Sequence, residues 1–321
     1  MLSENTIKYL NYLVKTYEAE TRLIAETLQR LQALMGKDEE YTCDTLLTGE
    51  GNADGLMTIK GRSSRAIEKE LVHWDIWEQW LKGVPGIGPA IAGRLILLFY
   101  YKFVPVCMSC GGDLLKVEGG FECHDCGKTA KGGGLLKHRI AEKDFQTISK
   151  WWAYMGRHTV EGVMPKRKAG KVSNWSTVGR TIGFHIGEQF NRQTEANPYK
   201  AFLVERKAKH ARMHPEWTKG HIHNAAKNEA VKLFLSHFWV VAREIEGKPI
   251  SEPYAGAIMG HTNIVKPFFW ESQEHPEIQD GPASQCPHEP QPSAASGKPR
   301  ATRRKRASER TTEPQGSSAE A

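Results

Sequence analysis

The first sixty residues combine one long amphipathic pattern with a polar stretch. Apolar residues recur every three or four positions from residue 3 to residue 36, and this spacing predicts a helix with one buried face. Ser3 can cap the start of this helix, and Gly36 can end it. Residues 37–60 contain several Gly and Asp residues and predict a loop. The buried stripe begins with Ile7, Leu10, Leu13, Val14 and Tyr17.

A second helical pattern follows at residues 64–81. Its apolar stripe is typical of core packing, and its place after the loop predicts an antiparallel pair with the first helix. Further helical patterns occupy residues 145–154, 177–191, 198–209 and 222–245. No segment alternates for long enough to predict a large sheet. The stripe of the second helix consists of Ile67, Leu71, Trp74, Trp77 and Leu81.

Glycine and proline interrupt the helical pattern at residues 84–89, which read VPGIGP. Pro89 suits the first position of a helix, where no N–H is needed. Gly86 and Gly88 permit positive φ, Ile87 should pack inward, and Gly93 should let the helices approach closely. This is a helix–hairpin–helix pattern, in which the turn and the next helix N-terminus offer free N–H groups to a DNA phosphate. A purely structural turn is the alternative interpretation.

Four cysteines form two C-x-x-C pairs. Cys107 and Cys110 make the first pair, Cys123 and Cys126 make the second, and twelve residues separate the pairs. Tetrahedral zinc takes four thiolates from two tight turns, and a glycine follows each pair where its turn closes. The sequence therefore predicts a zinc ribbon at residues 105–134 that holds a structural Zn²⁺. The other two cysteines lack such spacing.

Positive charge is concentrated in the second half of the folded region. The net charge is +7, and residues 157–232 hold 15 basic and 6 acidic side chains. This excess favours a polyanionic partner, nucleic acid first, although a solvated charged surface is the alternative. Basic residues are interleaved with aromatic ones after Trp151, as in nucleic-acid grooves. The predicted DNA contacts are Gly86, Gly88, Arg157, Lys166, Arg167, Lys168, Lys171 and Arg180.

Two histidines near the end of this region are candidate metal ligands. His221 and His223 lie two residues apart, a spacing that can chelate a metal on an extended segment. No carboxylate motif lies nearby, so hydrogen bonding to a phosphate or a base is the favoured interpretation.

The order of these elements resembles the C-terminal domain of the DEDD-type insertion-sequence transposases. The matching features are the helix pair, GVPGIGPAIAGRLI, WAYMGR, a basic segment, NPYKAFLVERK and AAKNEAVKLFLSHFWVVAREIEGKP. The resemblance covers residues 62–250, except for the zinc segment, which looks like an insertion. It implies DNA binding in transposition or recombination. Because that family works with a structured guide RNA, it also implies structured RNA as a further partner.

The resemblance implies DNA binding more strongly than DNA cleavage. The family's acidic N-terminal domain has no counterpart ahead of the helix pair, and Ala169 stands where the family carries its nucleophilic serine. Ser173 is the candidate catalytic residue, with Ser176 nearby and Lys171 and Arg180 able to hold a phosphate. Enzymatic activity is left open. The chain is either a transposase-like recombinase or a catalytically inactive accessory module that binds DNA or RNA.

The sequence thus predicts a mainly α protein: a helix pair and a helix–hairpin–helix domain, a small inserted β zinc ribbon and a disordered C-terminal tail. No secretory signal opens the chain, and the run Leu95–Tyr101 is too short to span a bilayer. We therefore expect a cytoplasmic protein without a membrane partner, and a homo-oligomer is compatible with these features. The predicted segments are 1–61 (N-terminal helix and loop), 62–104 (hairpin), 105–134 (ribbon), 135–270 (basic helical domain) and 271–321 (tail).

Overall fold

The computed structural model describes residues 2–35, 45–117, 120–131, 137–159, 163–167, 173–250 and 265–269. Helices dominate this part of the chain, and the strands are short and antiparallel, as the sequence predicts. The helices are α1 (Glu4–Met35), α2 (Thr45–Thr48), α3 (Leu56–Leu71), α4 (Asp75–Gln79), α5 (Pro89–Tyr100), α6 (Ile148–Tyr154), α7 (Thr177–Arg192), α8 (Pro198–Met213) and α9 (Lys219–Ile245). The strands are β1 (Gly49–Glu50), β2 (Ala53–Asp54), β3 (Tyr101–Val106), β4 (Leu114–Val117), β5 (Gly120–Cys123), β6 (Thr129–Lys131) and β7 (Lys137–Glu142).

Helices α1, α3 and α5 pack closely around one glycine. A Cβ atom on Gly93 of α5 would lie 2.9 Å from Val14 Cγ2 and 3.3 Å from Ile67 Cγ2. Gly93 therefore permits the close approach that the sequence predicts, and the contact extends to α1. The neighbouring Arg94 is buried and donates two hydrogen bonds to the Glu18 carboxylate on α1, at 2.8 and 2.6 Å.

The prediction of one continuous helix over residues 64–81 is wrong. Helix α3 ends at Leu71, and α4 begins only after Trp74, which is extended at φ −111° and ψ 115°. Trp74 and Trp80 are both buried, yet six positions in a straight helix would place them on different faces. The break therefore lets both indoles reach the core, and a 3₁₀ turn over Leu81–Gly83 leads into the hairpin.

The predicted loop at residues 37–60 contains regular structure. Residues 36–44 lie outside the described part of the chain. The short helix α2 then leads into the hairpin of β1 and β2, and α3 already starts at Leu56. Gly49 takes φ +90° at the entry to this hairpin, a conformation that glycine adopts without strain.

Aromatic side chains from α6 to α9 form the centre of the core. Trp80, from the segment before the hairpin, stacks on Phe234 of α9 at 5.6 Å between ring centroids. Its indole N–H donates to the Phe268 carbonyl at 2.7 Å. One core therefore contains side chains from the first, second and fourth predicted segments. The largest fully buried aromatic side chains are Trp151, Phe190, Tyr199, Phe234, Phe238 and Trp239.

The ribbon is inserted between the two strands of an antiparallel ladder. β3 pairs with β7 from Tyr101↔Glu142 to Val106↔Lys137, and sequence analysis missed this ladder. Beyond it, β4, β5 and β6 form a three-stranded sheet in that order. Within the predicted ribbon, β4 and β5 form an antiparallel pair, with Leu114 opposite Cys123.

None of the described helices combines the length and the apolar character needed to cross a membrane. The predicted disordered tail, including Arg303–Arg306, lies outside the described residues.

Candidate nucleic-acid interface and metal centre

The hairpin turn has most of the predicted geometry. Gly86 has φ +93°, Ile87 is buried, and Pro89 opens α5 with Gly88 as its N-cap residue. The expectation of positive φ at Gly88 is wrong, because its φ is −78°. Any residue can adopt that conformation, and a Cβ atom on Gly88 would meet no described protein atom within 4 Å. The space in front of Gly88 is therefore open to a ligand.

Three N–H groups at the start of α5 have no hydrogen-bond acceptor among the described residues. Among the described residues, the N–H groups of Gly88, Ala90 and Ile91 have no hydrogen-bond acceptor, and the first bond of α5 runs from Ala92 N to Gly88 O. Such groups at a helix N-terminus attract anions. Their donors are available to a phosphate oxygen.

The hairpin is held in place by α7 and α8. A Cβ atom on Gly86 would lie 3.3 Å from Gln189 Cβ on α7. The buried Asn197 donates from Nδ2 to the Pro85 carbonyl at 3.1 Å, while its Oδ1 accepts the Tyr199 N–H and caps α8. Sequence analysis did not single out Asn197, although Asn before Pro198 is a typical helix start.

The four cysteines of the two C-x-x-C pairs converge on one point. Their Sγ atoms all lie within 4.8 Å of one another. The Cys107–Cys126 and Cys110–Cys123 sulfur distances are 3.6 and 3.4 Å. The two halves of the site also share one backbone pattern: the Gly111 and Gly127 N–H groups donate to the Cys107 and Cys123 carbonyls, at 2.9 and 3.0 Å. The residues can therefore hold a metal ion, as predicted.

Local backbone geometry closes both cysteine turns and favours the thiolate at Cys107. Gly111 and Gly127 follow the second cysteine of each pair and take φ +78° and +67°, so each turn closes on a glycine as expected. The backbone groups of Cys110 and Ser109 lower the pKa of the Cys107 thiol to about 6. A thiolate is the form that binds a metal.

Arg157, a predicted DNA contact, is buried within the fold. It donates to Asn228 Oδ1 on α9 at 3.1 Å and to the Arg180 carbonyl on α7 at 3.0 Å. No described carboxylate pairs with it. Burial, followed by the charge of Arg180, lowers the pKa of Arg157 to about 10, so the guanidinium is charged at neutral pH. Its burial excludes Arg157 as a direct DNA contact, and this prediction is corrected.

A stripe of glycines on α7 makes room for Arg157 and for a second buried cation. A Cβ atom on Gly183 would lie 2.7 Å from the Arg157 guanidinium. A Cβ atom on Gly187 would lie 2.7 Å from Cγ of the Lys227 side chain. Lys227 is buried and pairs with Glu188. Sequence analysis missed this stripe, although the spacing Gly179, Gly183, Gly187 signals one helix face without side chains.

Three other predicted DNA contacts differ in their surroundings. Lys166 and Arg167 are exposed. Arg180 is half-buried, donates from Nη1 to the Pro165 carbonyl and lies over the Trp175 ring, 5.4 Å from its centroid. Lys168 and Lys171 lie outside the described residues.

The candidate nucleophile Ser173 is half-buried in an irregular segment ahead of α7. Its hydroxyl forms no hydrogen bond with another described residue, so no general base for it is found there. Ser176 caps α7, because its Oγ accepts the Gly179 N–H at 3.0 Å.

The two histidines of the metal hypothesis both lie in α9. Residues two apart on a helix point to different sides, so His221 and His223 do not form the chelate of an extended segment. His221 stacks on Trp217 at 4.0 Å, and His214 stacks on the same indole at 3.9 Å.

No known protein family, characterised protein or solved structure matches this chain.

Proposed function

We propose that this protein binds DNA and acts in transposition or recombination. The observation that carries the proposal is the hairpin, where the N–H groups of Gly88, Ala90 and Ile91 have no acceptor among the described residues and the space around Gly88 is open. Backbone donors of this kind contact phosphate oxygens and do not read bases. Binding through the hairpin should therefore depend little on DNA sequence.

The electrostatics of α7 to α9 support the same partner. Burial, and then the nearby charges of Lys200 and Lys227, lower the pKa of Lys207. Burial, and then Lys207 and Lys227, lower the pKa of His223. The lysine ammonium groups repel one another, so an approaching polyanion would relieve that repulsion. The resemblance to transposases stays a prediction that points to the same class of partner.

A substitution at Gly88 tests whether the hairpin contacts DNA. Gly88→Val should leave the fold intact, because a Cβ atom there meets no described protein atom within 4 Å and φ is −78°. It should weaken duplex binding by about tenfold on every sequence, because the side chain occupies the path of the phosphate. Gly61→Val is the matched control, since a Cβ atom at Gly61 of α3 also has open space. Equal affinities of both variants and wild type in fluorescence anisotropy would contradict the hairpin's role.

DNA cleavage through Ser173 is the second candidate activity, which the resemblance to the serine transposases implies less strongly than DNA binding. A recombinase should form a covalent adduct with DNA that disappears in Ser173→Ala and persists in Ser176→Ala. We favour the catalytically inactive accessory module, because the Ser173 hydroxyl contacts no described base. Absence of an adduct under conditions of tight binding would support the accessory function, which also admits structured RNA as a ligand.

We further propose that the metal of the four-cysteine site is a structural Zn²⁺. An all-thiolate set of four suits tetrahedral zinc and leaves no ligand position open for catalysis. Metal analysis of freshly purified protein should find about one zinc per chain, and Cys107→Ser or Cys123→Ser should lose it.

A further inference from the structure

An open cleft runs along one face of α7. Its volume is about 340 Å³, at the small end of the range for ligand pockets. None of the described side chains that line it is acidic. Four of its six residues lie at spacings of three or four on α7, so they share one side of that helix. The lining consists of Arg167, Trp175, Thr177, Arg180, Thr181 and Phe184.

Phe184 offers an aromatic surface in this cleft. Half of its side chain is exposed, at 50%. The Lys227 ammonium lies over the ring at 4.8 Å from its centroid. Lys227 therefore covers part of the Phe184 ring. The rest of the ring is exposed and available for stacking.

Arg180, one turn before Phe184 on the same side of α7, is held in a fixed position. Its guanidinium lies over the Trp175 indole, and one of its donors is held by the Pro165 carbonyl. The Trp175 ring packs directly against the chain at Gly156, where a Cβ atom would lie 2.7 Å from the ring. The guanidinium has five N–H donors, so donors remain for a phosphate at a defined position.

Buried charge adds to the field along this side of the helix. Arg157 packs against Gly183, one residue before Phe184, and no described carboxylate neutralises it. A buried cation without a counter-ion is costly unless an anion comes close. Together with Arg167 and Arg180, it makes the cleft attractive to a negatively charged ligand.

We propose that the α7 cleft binds an unpaired nucleotide of single-stranded DNA, with the base stacked on Phe184 and its phosphate on Arg167 and Arg180. The proposal rests on the DNA-binding function and deepens it, because a recombination protein meets unpaired bases wherever strands open. A base and an adjacent phosphate combine an aromatic face with an anion, which is the complement of this lining. The hairpin and the cleft would then contact duplex and single strand separately.

The test compares single-stranded DNA of about 15 nucleotides, a length that covers one site, with the duplex of the same sequence. Phe184→Leu removes the aromatic face but keeps an apolar side chain. It should weaken single-strand binding roughly 5- to 100-fold, the range for loss of one stacked base, and change duplex binding less than about twofold. Phe184→Tyr should restore single-strand binding. Val178→Ala, on an exposed residue of α7 outside the cleft, is the control and should change neither affinity.

The outcomes separate this proposal from the DNA-binding function. Single-strand affinity unchanged by Phe184→Leu, or equal losses for both DNA forms, would overturn the cleft proposal. Duplex binding without any single-strand binding would overturn it and leave the DNA-binding function standing. Failure of the wild-type protein to bind either DNA form would overturn both.

Discussion

Removing the metal should unfold the ribbon and leave the helices intact. The described buried apolar residues of the ribbon and its entry are only Val106, Cys107 and Cys123, and none belongs to the hydrophobic core of the helices. A three-stranded sheet with so little buried surface is not stable in water without a further constraint. The metal–sulfur bonds should therefore supply most of its stability.

The positions of the four sulfur atoms are close to those of a zinc-bound tetrahedron. Zinc–sulfur bonds of about 2.3 Å in a tetrahedron place the sulfurs about 3.8 Å apart. The Cys107–Cys126 and Cys110–Cys123 distances of 3.6 and 3.4 Å are close to that spacing, so little movement is needed on binding. Structural zinc contributes roughly 10–16 kcal/mol to small domains at neutral pH, far more than a sheet of this size can supply alone.

Hydrogen exchange measured with and without a strong chelator tests this prediction. Amides of β4, β5 and β6 should lose their protection from exchange. The far-UV circular dichroism signal of the helices should change by only a few per cent, and the midpoint temperature of the main thermal transition should stay nearly the same. Cys126→Ser should reproduce the effect, and Cys43→Ser should not. Loss of the main transition on chelation, or freshly purified protein without metal, would refute the reasoning.

The remaining stability predictions concern two glycines and one buried histidine. Gly61→Ala should raise the free energy of unfolding by about 0.5–1 kcal/mol, because alanine favours helix and a Cβ atom there has open space. Gly93→Ala should lower the free energy of unfolding by about 1–3 kcal/mol, because the methyl group meets Val14. Urea denaturation distinguishes the two signs. Burial lowers the pKa of His237 to about 4, so between pH 6.5 and 4 the folded state binds fewer protons than the unfolded state. The free energy of unfolding should therefore fall by up to about 3 kcal/mol as the pH drops from about 6.5 to 4. The same loss in His237→Gln would contradict this assignment.

Local patterns in the sequence were sufficient for the hairpin and the metal site. Pro89, the glycine at 86 and the two cysteine pairs act through their own backbone geometry, and the structure places Gly86 at positive φ and the four sulfurs together. The expectation for Gly88 was wrong because its role as N-cap of α5 needs an extended backbone rather than a positive φ. Local chemistry alone did not distinguish these two glycines.

The parts that sequence analysis missed depend on contacts between distant segments. Arg157 looked like a surface cation because its burial depends on Gly183 and Asn228, which lie far along the chain. The break before α4 depends on the core that Trp74 and Trp80 share. Tertiary packing overrides local helix preference at such positions, and only the assembled fold shows it.

The salt dependence of duplex DNA binding tests the central claim most directly. Affinity should be measured by anisotropy on two unrelated duplexes between about 50 and 200 mM salt. If the hairpin and the cations of α7 to α9 contact the phosphates, the logarithm of the affinity should fall linearly with the logarithm of the salt concentration, by about 0.9 per phosphate neutralised. We predict a steep slope, equal on both sequences. A flat dependence, or no binding at the lowest salt, would contradict the account.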